Sequence, residues 1–227
     1  MPETEFPNAS PIKAVVFDLD GLMFNTEDVF NLSGRELLQR RGMEMTSEIL
    51  SQMMGRRGPE AFAIMCEMTG LTEPIDALLA ESRAIFYDLL PRHLAPMPGL
   101  FELLELIESR NLPKGVATSS SRRYLEDILG RFELKGRFPT TLTAEDVTHG
   151  KPHPEIYLKA AERIGVEPRE MLVLEDSEAG THSAARAGAT VVSIPNEHSR
   201  SHDFSPATYV ATALHDPYVL QFVRGEL

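Results

Sequence analysis

Short apolar runs that alternate with helical patterns constrain the fold of this chain more than any other feature. Four short runs are mostly apolar, at residues 14–17, 115–117, 171–174 and 190–194. Continuous apolar runs, rather than runs apolar at every second residue, are typical of parallel strands buried on both faces. Helical patterns cover residues 122–132, 154–164 and 178–187, and a weaker strand is indicated near 138–143. Strands alternating with helices predict an α/β fold with a doubly wound parallel sheet.

One long segment interrupts this alternation. Residues 27–93, between the first and second strong runs, hold helical patterns only, and a simple crossover needs far fewer residues. We therefore predict a helical cap domain at 27–93, inserted into a core of residues 12–26 and 94–227, with 1–11 as a flexible tail. Pro91 is expected to break the last cap helix. The two connections would form a hinge, with the cap as a lid over the carboxyl ends of the strands.

Composition excludes several classes of function. The chain has 22 basic and 34 acidic residues and a net charge of −12, the opposite of the basic face expected of a nucleic-acid binder. No apolar run approaches the roughly 18 residues of a membrane-spanning helix, and the N-terminus lacks a secretory-signal pattern. The single cysteine, Cys66, allows no intrachain disulfide. We expect a cytoplasmic monomer with no nucleic-acid or membrane partner.

Polar side chains follow three of the four strong strands. These residues are Asp18 and Asp20 after the first strand, Thr118 and Ser119 after the second, and Glu175 and Asp176 after the third. Lys151 comes shortly before a predicted helix. Because the carboxyl ends of parallel strands lie side by side, we expect four acids, a threonine and a lysine to converge.

The residue types in these clusters are suited to phosphate chemistry. Carboxylates so close oppose each other's ionisation, and a hard divalent cation such as Mg²⁺ removes the conflict. Lys151 would neutralise further charge and bind an anion, and free N–H groups after Thr118 suit a phosphate. Simpler interpretations remain at single positions: Asp20-Gly21 is also a common turn pair, and residues 118–121 are also a helix N-cap.

In order and spacing these clusters resemble the motifs of the haloacid dehalogenase (HAD) superfamily. The similarity is to the helical-cap branch, which includes beta-phosphoglucomutases and phosphoglycolate phosphatases. Asp-Leu-Asp-Gly-Leu at 18–22 resembles motif I, Thr118 with Ser119 motif II, Lys151 motif III, and Glu-Asp at 175–176 motif IV. The resemblance covers residues 12–195 and implies a HAD-like core with an inserted helical cap.

The resemblance implies a role for each matched residue. Asp18 would be the nucleophile that takes up the phosphoryl group as an aspartyl phosphate. Asp20 would be the general acid for the leaving alcohol and then the base for water. Thr118, Ser119 and Lys151 would bind the phosphoryl oxygens.

The same resemblance implies a Mg²⁺ site. Asp18, the backbone carbonyl of Asp20 and Asp176 would be ligands, and Glu175 would be either a ligand or a supporting residue.

The predicted cap supplies candidate substrate contacts. Residues 53–58 read Met-Met-Gly-Arg-Arg-Gly, and related caps place a glycine-rich turn here, facing the active site. Arg56 or Arg57 would bind a second anionic group of the substrate, with a solvated pair at a helix end as the alternative. Thr26, which matches the threonine after motif I in the family, is a further candidate.

Differences within the family narrow the expected reaction. Asp20 argues against a dehalogenase, which lacks the second acid, and 27–93 has no lysine for a phosphonate-cleaving Schiff base. Beta-phosphoglucomutases carry His-x-x-Ala-Trp in the first cap helix, whereas this chain has Phe-Asn-Leu-Ser-Gly at 30–34 and no tryptophan. We therefore predict a Mg²⁺-dependent phosphatase of a small phosphorylated metabolite such as a sugar phosphate. A hexose-phosphate mutase and a non-catalytic binding protein on the same fold are the alternatives.

Overall fold

The computed structural model describes residues 11–53, 56 and 58–226. The strands are β1 (Ala14–Phe17), β2 (Lys114–Ala117), β3 (Thr140–Leu142), β4 (Met171–Glu175), β5 (Thr190–Ser193) and β6 (Tyr209–Val210). The helices are α1 (Thr26–Gln39), α2 (Ser47–Met53), α3 (Gly58–Thr69), α4 (Ile75–His93), α5 (Leu100–Ser109), α6 (Arg122–Arg131), α7 (Glu155–Ile164), α8 (Glu178–Ala187) and α9 (Pro217–Arg224). None of the helices in these residues is both long enough and apolar enough to cross a membrane.

The chain forms two compact units. One is built from the described parts of Met1–Phe24 and Pro96–Leu227, and the other from Asn25–Ala95. The first contains the whole sheet, and the second contains helices α1 to α4.

The first unit is an α/β structure with a parallel sheet. Its strand order is β3-β2-β1-β4-β5-β6, and every neighbouring pair is parallel. The prediction of an α/β fold with a parallel sheet is confirmed. The strand order changes direction at β1, which lies between β2 and β4. Such a switch point is where open α/β sheets bind ligands, at the carboxyl ends of the strands.

Apolar side chains of the sheet pack against helices α7 and α8. This cluster includes Val16, Val173 and Val191 of the sheet, Ile156 and Ala160 of α7, and Ala184 of α8. All of β1, β2 and β4 is buried, which explains why their sequences are apolar at consecutive positions rather than alternating.

The second unit is a helical bundle with its own core. Its buried apolar residues include Leu37, Leu38, Met45, Phe62, Met65, Leu78 and Ile85. A buried hydrogen bond of 3.1 Å between the hydroxyls of Ser33 and Ser82 joins α1 to α4. The ends of the unit lie together, because the Asn25 N–H donates to Ala95 O at 3.1 Å and the Ala95 N–H donates to Asn25 Oδ1 at 2.7 Å.

The structure differs from the sequence prediction at several elements. Pro91 does not break α4, which continues to His93. A proline in the last turn removes one N–H bond, and the Leu94 N–H still donates to Leu90 O at 3.1 Å. Helices α2 and α9 and the two-residue strand β6 were not predicted. Helix α2 and strand β6 are too short for a clear hydrophobic repeat, whereas α9 does carry one, with Val219, Phe222 and Val223 buried on one face, and was missed.

Asp146 ties the loop after β3 to two helices. It accepts hydrogen bonds from Arg122 of α6 at 2.5 Å, from Arg163 of α7 at 2.7 Å, and from both the backbone N–H and the hydroxyl of Thr143 at 2.9 Å. Burial acts to raise the pKa of Asp146, but the bonds from Arg163 and Thr143 and the charge of Arg122 outweigh it and lower this pKa to about 2.

We expect Asp146→Asn to lower the free energy of unfolding at pH 7 by about 2 kcal/mol. Because the folded-state pKa is below the unfolded value, this stabilisation is present above about pH 4 and is lost as the pH falls toward 2. Urea denaturation at pH 7 and pH 3 measures the difference between the two proteins. The control Asp127→Asn removes a carboxylate that pairs with Arg131 at the surface, and we expect a change within about 0.5 kcal/mol. A difference for Asp146→Asn that is the same at both pH values would contradict this explanation.

Candidate active site

Lys151 connects the carboxyl ends of β1, β2 and β4. Its Nζ donates hydrogen bonds to Asp18 Oδ1 at 2.5 Å, to Glu175 Oε1 at 2.6 Å and to the carbonyl of Ala117 at 2.9 Å. The side chains of Lys151, Asp18 and Glu175 are 5%, 10% and 0% exposed. A buried ammonium group therefore lies between two buried carboxylates, as the convergence of strand ends predicts.

Burial and the charges of neighbouring side chains shift the pKa values of Asp18 and Lys151. Burial raises the pKa of Asp18 to about 8; Lys151 opposes this rise, and Glu175 and Asp20 add to it. Burial acts to lower the pKa of Lys151, but the charges of Asp18 and Glu175 outweigh it and raise this pKa well above its usual value. Lys151 therefore remains an ammonium group, whereas burial beside other acids opposes the ionisation of Asp18.

Glu175 is held by protein donors on both of its oxygens. Besides Lys151, Oε1 accepts a hydrogen bond of 2.5 Å from the buried hydroxyl of Tyr157. Burial, with the charge of Glu175, raises the pKa of Tyr157 well above its usual value, so it stays a phenol that donates. Oε2 accepts from the Ser177 hydroxyl at 3.0 Å, and a Cβ at Gly180 of α8 would overlap the carboxylate. These contacts orient Glu175 toward Lys151.

The acids also form a group that fits a divalent cation. Asp18, Glu175 and Asp176 each offer a carboxylate oxygen, and these oxygens lie within 4.8 Å of one another. Hard oxygen donors at this spacing suit Mg²⁺ or a similar ion. Gly21, with φ of +79°, packs so closely on Asp176 that a Cβ would overlap it. Asn196 Nδ2 donates to Asp176 Oδ2 at 2.8 Å and to Gly21 O at 3.2 Å, which fixes this carboxylate.

Asp20 is held by hydroxyl groups from one segment of the chain. Its Oδ2 accepts hydrogen bonds from Ser120 at 2.7 Å and from Thr118 at 3.3 Å. Its Oδ1 accepts a bond of 2.8 Å from the hydroxyl of Tyr124. The Asp20 side chain is thereby placed beside the carboxyl end of β2.

The loop between β2 and α6 contains the helix N-cap that the sequence offered as one interpretation of residues 118–121. Ser121 is the N-cap of α6 and accepts a hydrogen bond from the Tyr124 N–H at 3.3 Å. The Thr118 hydroxyl donates instead to Asp20. Exposed Ser119, Thr118 and Lys151 line a surface pocket.

The remaining predicted substrate contacts belong to the helical unit. Thr26 is the first residue of α1 and is fully buried, and its Oγ1 has no hydrogen-bond partner among the described residues. Arg56 is exposed, and its Nε donates to the carbonyl of Gln52 at 3.2 Å. Arg57 lies outside the described residues.

Five side chains that bond the acids were not among the predicted site residues: Tyr157, Ser177, Ser120, Tyr124 and Asn196. Tyr157 could have been found, because a phenol on the otherwise apolar face of α7 needs a polar partner. Ser120 and Tyr124 carry no such signal. Asn196 comes three residues after β5 and bonds Asp176. The sequence predicted site residues only after β1, β2 and β4, so β5 is a fourth strand that leads to the site.

A second group of possible metal ligands lies near Lys151 but has another explanation. His149, His153 and Glu155 offer ligand atoms within 4.8 Å of one another, and both histidines are exposed. The Glu155 carboxylate already accepts bonds from the N–H groups of Thr148 and His149 and from Lys159. These donors make it a capping group at the start of α7.

Comparison with known proteins identifies the family. The sequence family described as haloacid dehalogenase-like hydrolase matches residues 15–194, from β1 to the residue after β5. The chain belongs to the haloacid dehalogenase-like hydrolases. The match spans all four motifs and the helical unit between the first two, as in the cap-containing branch of the family.

Relatives of this haloacid dehalogenase-like hydrolase include named phosphatases. The phosphorylated carbohydrates phosphatase of Thermotoga maritima is 30% identical over 78% of this chain and 82% of its own length. Validoxylamine A 7'-phosphate phosphatase of Streptomyces hygroscopicus subsp. limoneus is 34% identical over 82% of this chain and 87% of its own. Among solved structures, a HAD family hydrolase from Deinococcus radiodurans with bound phosphate and sodium matches with a TM-score of 0.77 and 26% identity, over 91% of this chain and 93% of that one.

Proposed function

We propose that this protein is a Mg²⁺-dependent phosphatase that hydrolyses a small phosphorylated metabolite, such as a sugar phosphate, through an aspartyl phosphate on Asp18. The chain is a phosphoric monoester hydrolase of the HAD family. The observation that carries the finer proposal is the position of Asp18, 2.5 Å from the Lys151 ammonium group and in one cluster with Asp176.

The residues present divide the reaction into two steps. Asp18 attacks phosphorus and forms a covalent bond while Asp20 gives a proton to the departing alcohol oxygen. In the second step Asp20 takes a proton from water, whose oxygen attacks phosphorus and releases Asp18 and inorganic phosphate. Most of the rate enhancement in phosphoryl transfer comes from positioning and charge stabilisation.

Positive charge and donors for the phosphoryl oxygens come from three residues. Lys151 supplies an ammonium group that is held in place by Glu175. Thr118 and Ser119 border the pocket that Lys151 also lines, and exposed Ser119 supplies a hydroxyl donor there. The Thr118 hydroxyl donates to Asp20 at 3.3 Å in the structure and would exchange this bond for one to the phosphoryl group. Glu175 acts in this proposal as the support of Lys151, because protein donors already occupy both of its oxygens.

A divalent ion fits the acids around Asp18. Asp18, Asp176 and the backbone carbonyl of Asp20 would hold Mg²⁺, with Asn196 fixing the Asp176 carboxylate. When bound, the ion supplies positive charge for the phosphoryl oxygens and offsets the repulsion among the acids.

The proposal is tested with a panel of phosphate esters, measured as release of free phosphate. We expect hydrolysis with Mg²⁺, loss of hydrolysis after treatment with EDTA, and recovery when Mg²⁺ is returned. Mg²⁺ should also raise the melting temperature, since a ligand at 100 times its Kd stabilises a protein by about 2.7 kcal/mol. In Asp176→Asn we expect both the rise and the hydrolysis to be strongly reduced. Equal hydrolysis with Mg²⁺ and with EDTA would overturn the proposed metal dependence.

The same assay separates the phosphatase from the alternatives. Incubation with beta-glucose 1-phosphate yields free phosphate from a phosphatase and glucose 6-phosphate from a mutase. No turnover of any ester in the panel would favour a non-catalytic protein instead.

A further inference from the structure

Three hydroxyl groups determine the orientation of the Asp20 carboxylate. Ser120 and Thr118 donate to Oδ2, and Tyr124 alone among the described residues donates to Oδ1. A carboxyl group bonded through only one of its oxygens can still turn about its terminal torsion, which has broad minima. A donor on each oxygen holds the plane of the group.

Tyr124 is well placed to act as a fixed donor. It lies in the first turn of α6, where its own N–H is bonded to the N-cap hydroxyl of Ser121. Its side chain has only two main torsions, so holding its hydroxyl costs little conformational entropy compared with a longer polar side chain. The 2.8 Å bond to Asp20 therefore connects a rigid ring on α6 to the loop after β1.

We infer that Tyr124 is a positioning residue that aims the Asp20 carboxyl group for proton transfer to the leaving alcohol. This inference rests on the proposed function, in which Asp20 is the general acid. The P–O bond to the alcohol breaks as the bond from Asp18 to phosphorus forms, and the proton moves from Asp20 to the alcohol oxygen. Tyr124 neither gains nor loses a proton in this step.

The bonds seen in the structure are compatible with that role. A carboxyl group has about four lone-pair positions, and the hydroxyls of Tyr124, Ser120 and Thr118 occupy three of them. One position is left for the proton that Asp20 transfers. Without the Tyr124 hydroxyl, Oδ1 would have no donor among the described residues, and the carboxyl group would sample orientations from which transfer is slow.

The test uses Tyr124→Phe and substrates that differ in their need for a proton. An alkyl phosphate, taken as the one hydrolysed best in the panel above, requires protonation of its leaving oxygen, whereas 4-nitrophenyl phosphate releases a stable anion. The quantity measured is kcat/KM, which reports the step in which the alcohol departs. We expect Tyr124→Phe to reduce kcat/KM about 10- to 100-fold for the alkyl phosphate, the range for a lost bond to a charged group, and less than about threefold for 4-nitrophenyl phosphate.

Two further variants calibrate the result. Tyr218→Phe removes a hydroxyl from α9 in the same unit, and we expect both substrates to be turned over at the wild-type rate. Asp20→Asn should show the same selective loss as Tyr124→Phe, but larger. Far-UV circular dichroism and melting temperature verify that each variant is folded.

The outcomes separate this inference from the proposed function. Equal losses for both substrates in Tyr124→Phe, or no loss for either, would overturn the positioning role while Asp20→Asn still showed its selective loss. If Asp18→Asn or Asp20→Asn kept wild-type turnover of the alkyl phosphate, the proposed function itself would fail.

Discussion

We expect Asp18→Asn to reduce phosphate release by at least about 10³-fold, because the amide cannot form the covalent intermediate that divides the reaction into two steps. The substitution keeps the size of the side chain and its position after β1. An asparagine oxygen can still accept the hydrogen bond from Lys151 that Asp18 accepts at 2.5 Å. The loss should therefore appear in kcat, with no loss of folded structure.

The matched control is Asp127→Asn, which makes the same chemical change on α6, where Asp127 pairs with Arg131 at the surface. We expect this variant to hydrolyse the ester panel at the wild-type rate. Melting temperature and far-UV circular dichroism are recorded for both variants. Substantial turnover in a folded Asp18→Asn protein would show that Asp18 is not the nucleophile.

Lys151→Met should have the second largest effect, since it combines a loss of activity with a loss of stability. The ammonium group touches Asp18 and Glu175, which are buried together with it. Removing one partner of a buried ion pair leaves uncompensated charge and typically costs about 3–5 kcal/mol. We expect a loss of that size in urea denaturation with EDTA present, and a fall in kcat/KM of about 10²- to 10³-fold with Mg²⁺.

Two comparisons separate the effect of Lys151 on stability, which comes from its buried charge, from its effect on activity. Lys159→Met removes a lysine that is 38% exposed and pairs with Glu155, so we expect a loss below about 1 kcal/mol and normal activity. Adding Glu175→Gln to Lys151→Met removes one unpaired buried charge, and we expect it to recover part of the stability but none of the activity. A Lys151→Met protein as stable as Lys159→Met would contradict the arrangement of charges described for the site.

Much of the fold could be predicted because strands and helices leave patterns among residues that are close together in the sequence. The strands β1, β2, β4 and β5 are short apolar runs, and each is buried in a parallel sheet. Helices α7 and α8 were predicted with bounds within a residue of those observed. Pro91 shows the limit of this approach: a proline predicts a break, but near a helix end its cost is small and the helix continues to His93.

The acids of the candidate site could be predicted, but their partners could not. Asp18, Glu175 and Asp176 directly follow or end strands, Asp20 comes three residues after β1, and parallel strands bring such positions to one edge. Asp20 is bonded by Ser120 and Tyr124, which are 100 and 104 residues away in the sequence. No local pattern connects residues at that distance.

The sequence by itself determined the parallel sheet, the helical segment after β1 and the acids at the strand ends, because each depends on neighbouring residues and on the repeat of a strand or helix. Only the tertiary structure decided which groups hold those acids: Lys151 between Asp18 and Glu175, Tyr157 on Glu175, and Tyr124 on Asp20. The physical reason is that hydrogen bonds depend on distances of a few tenths of an ångström and on side-chain torsions. These are set when the sheet and its helices pack together.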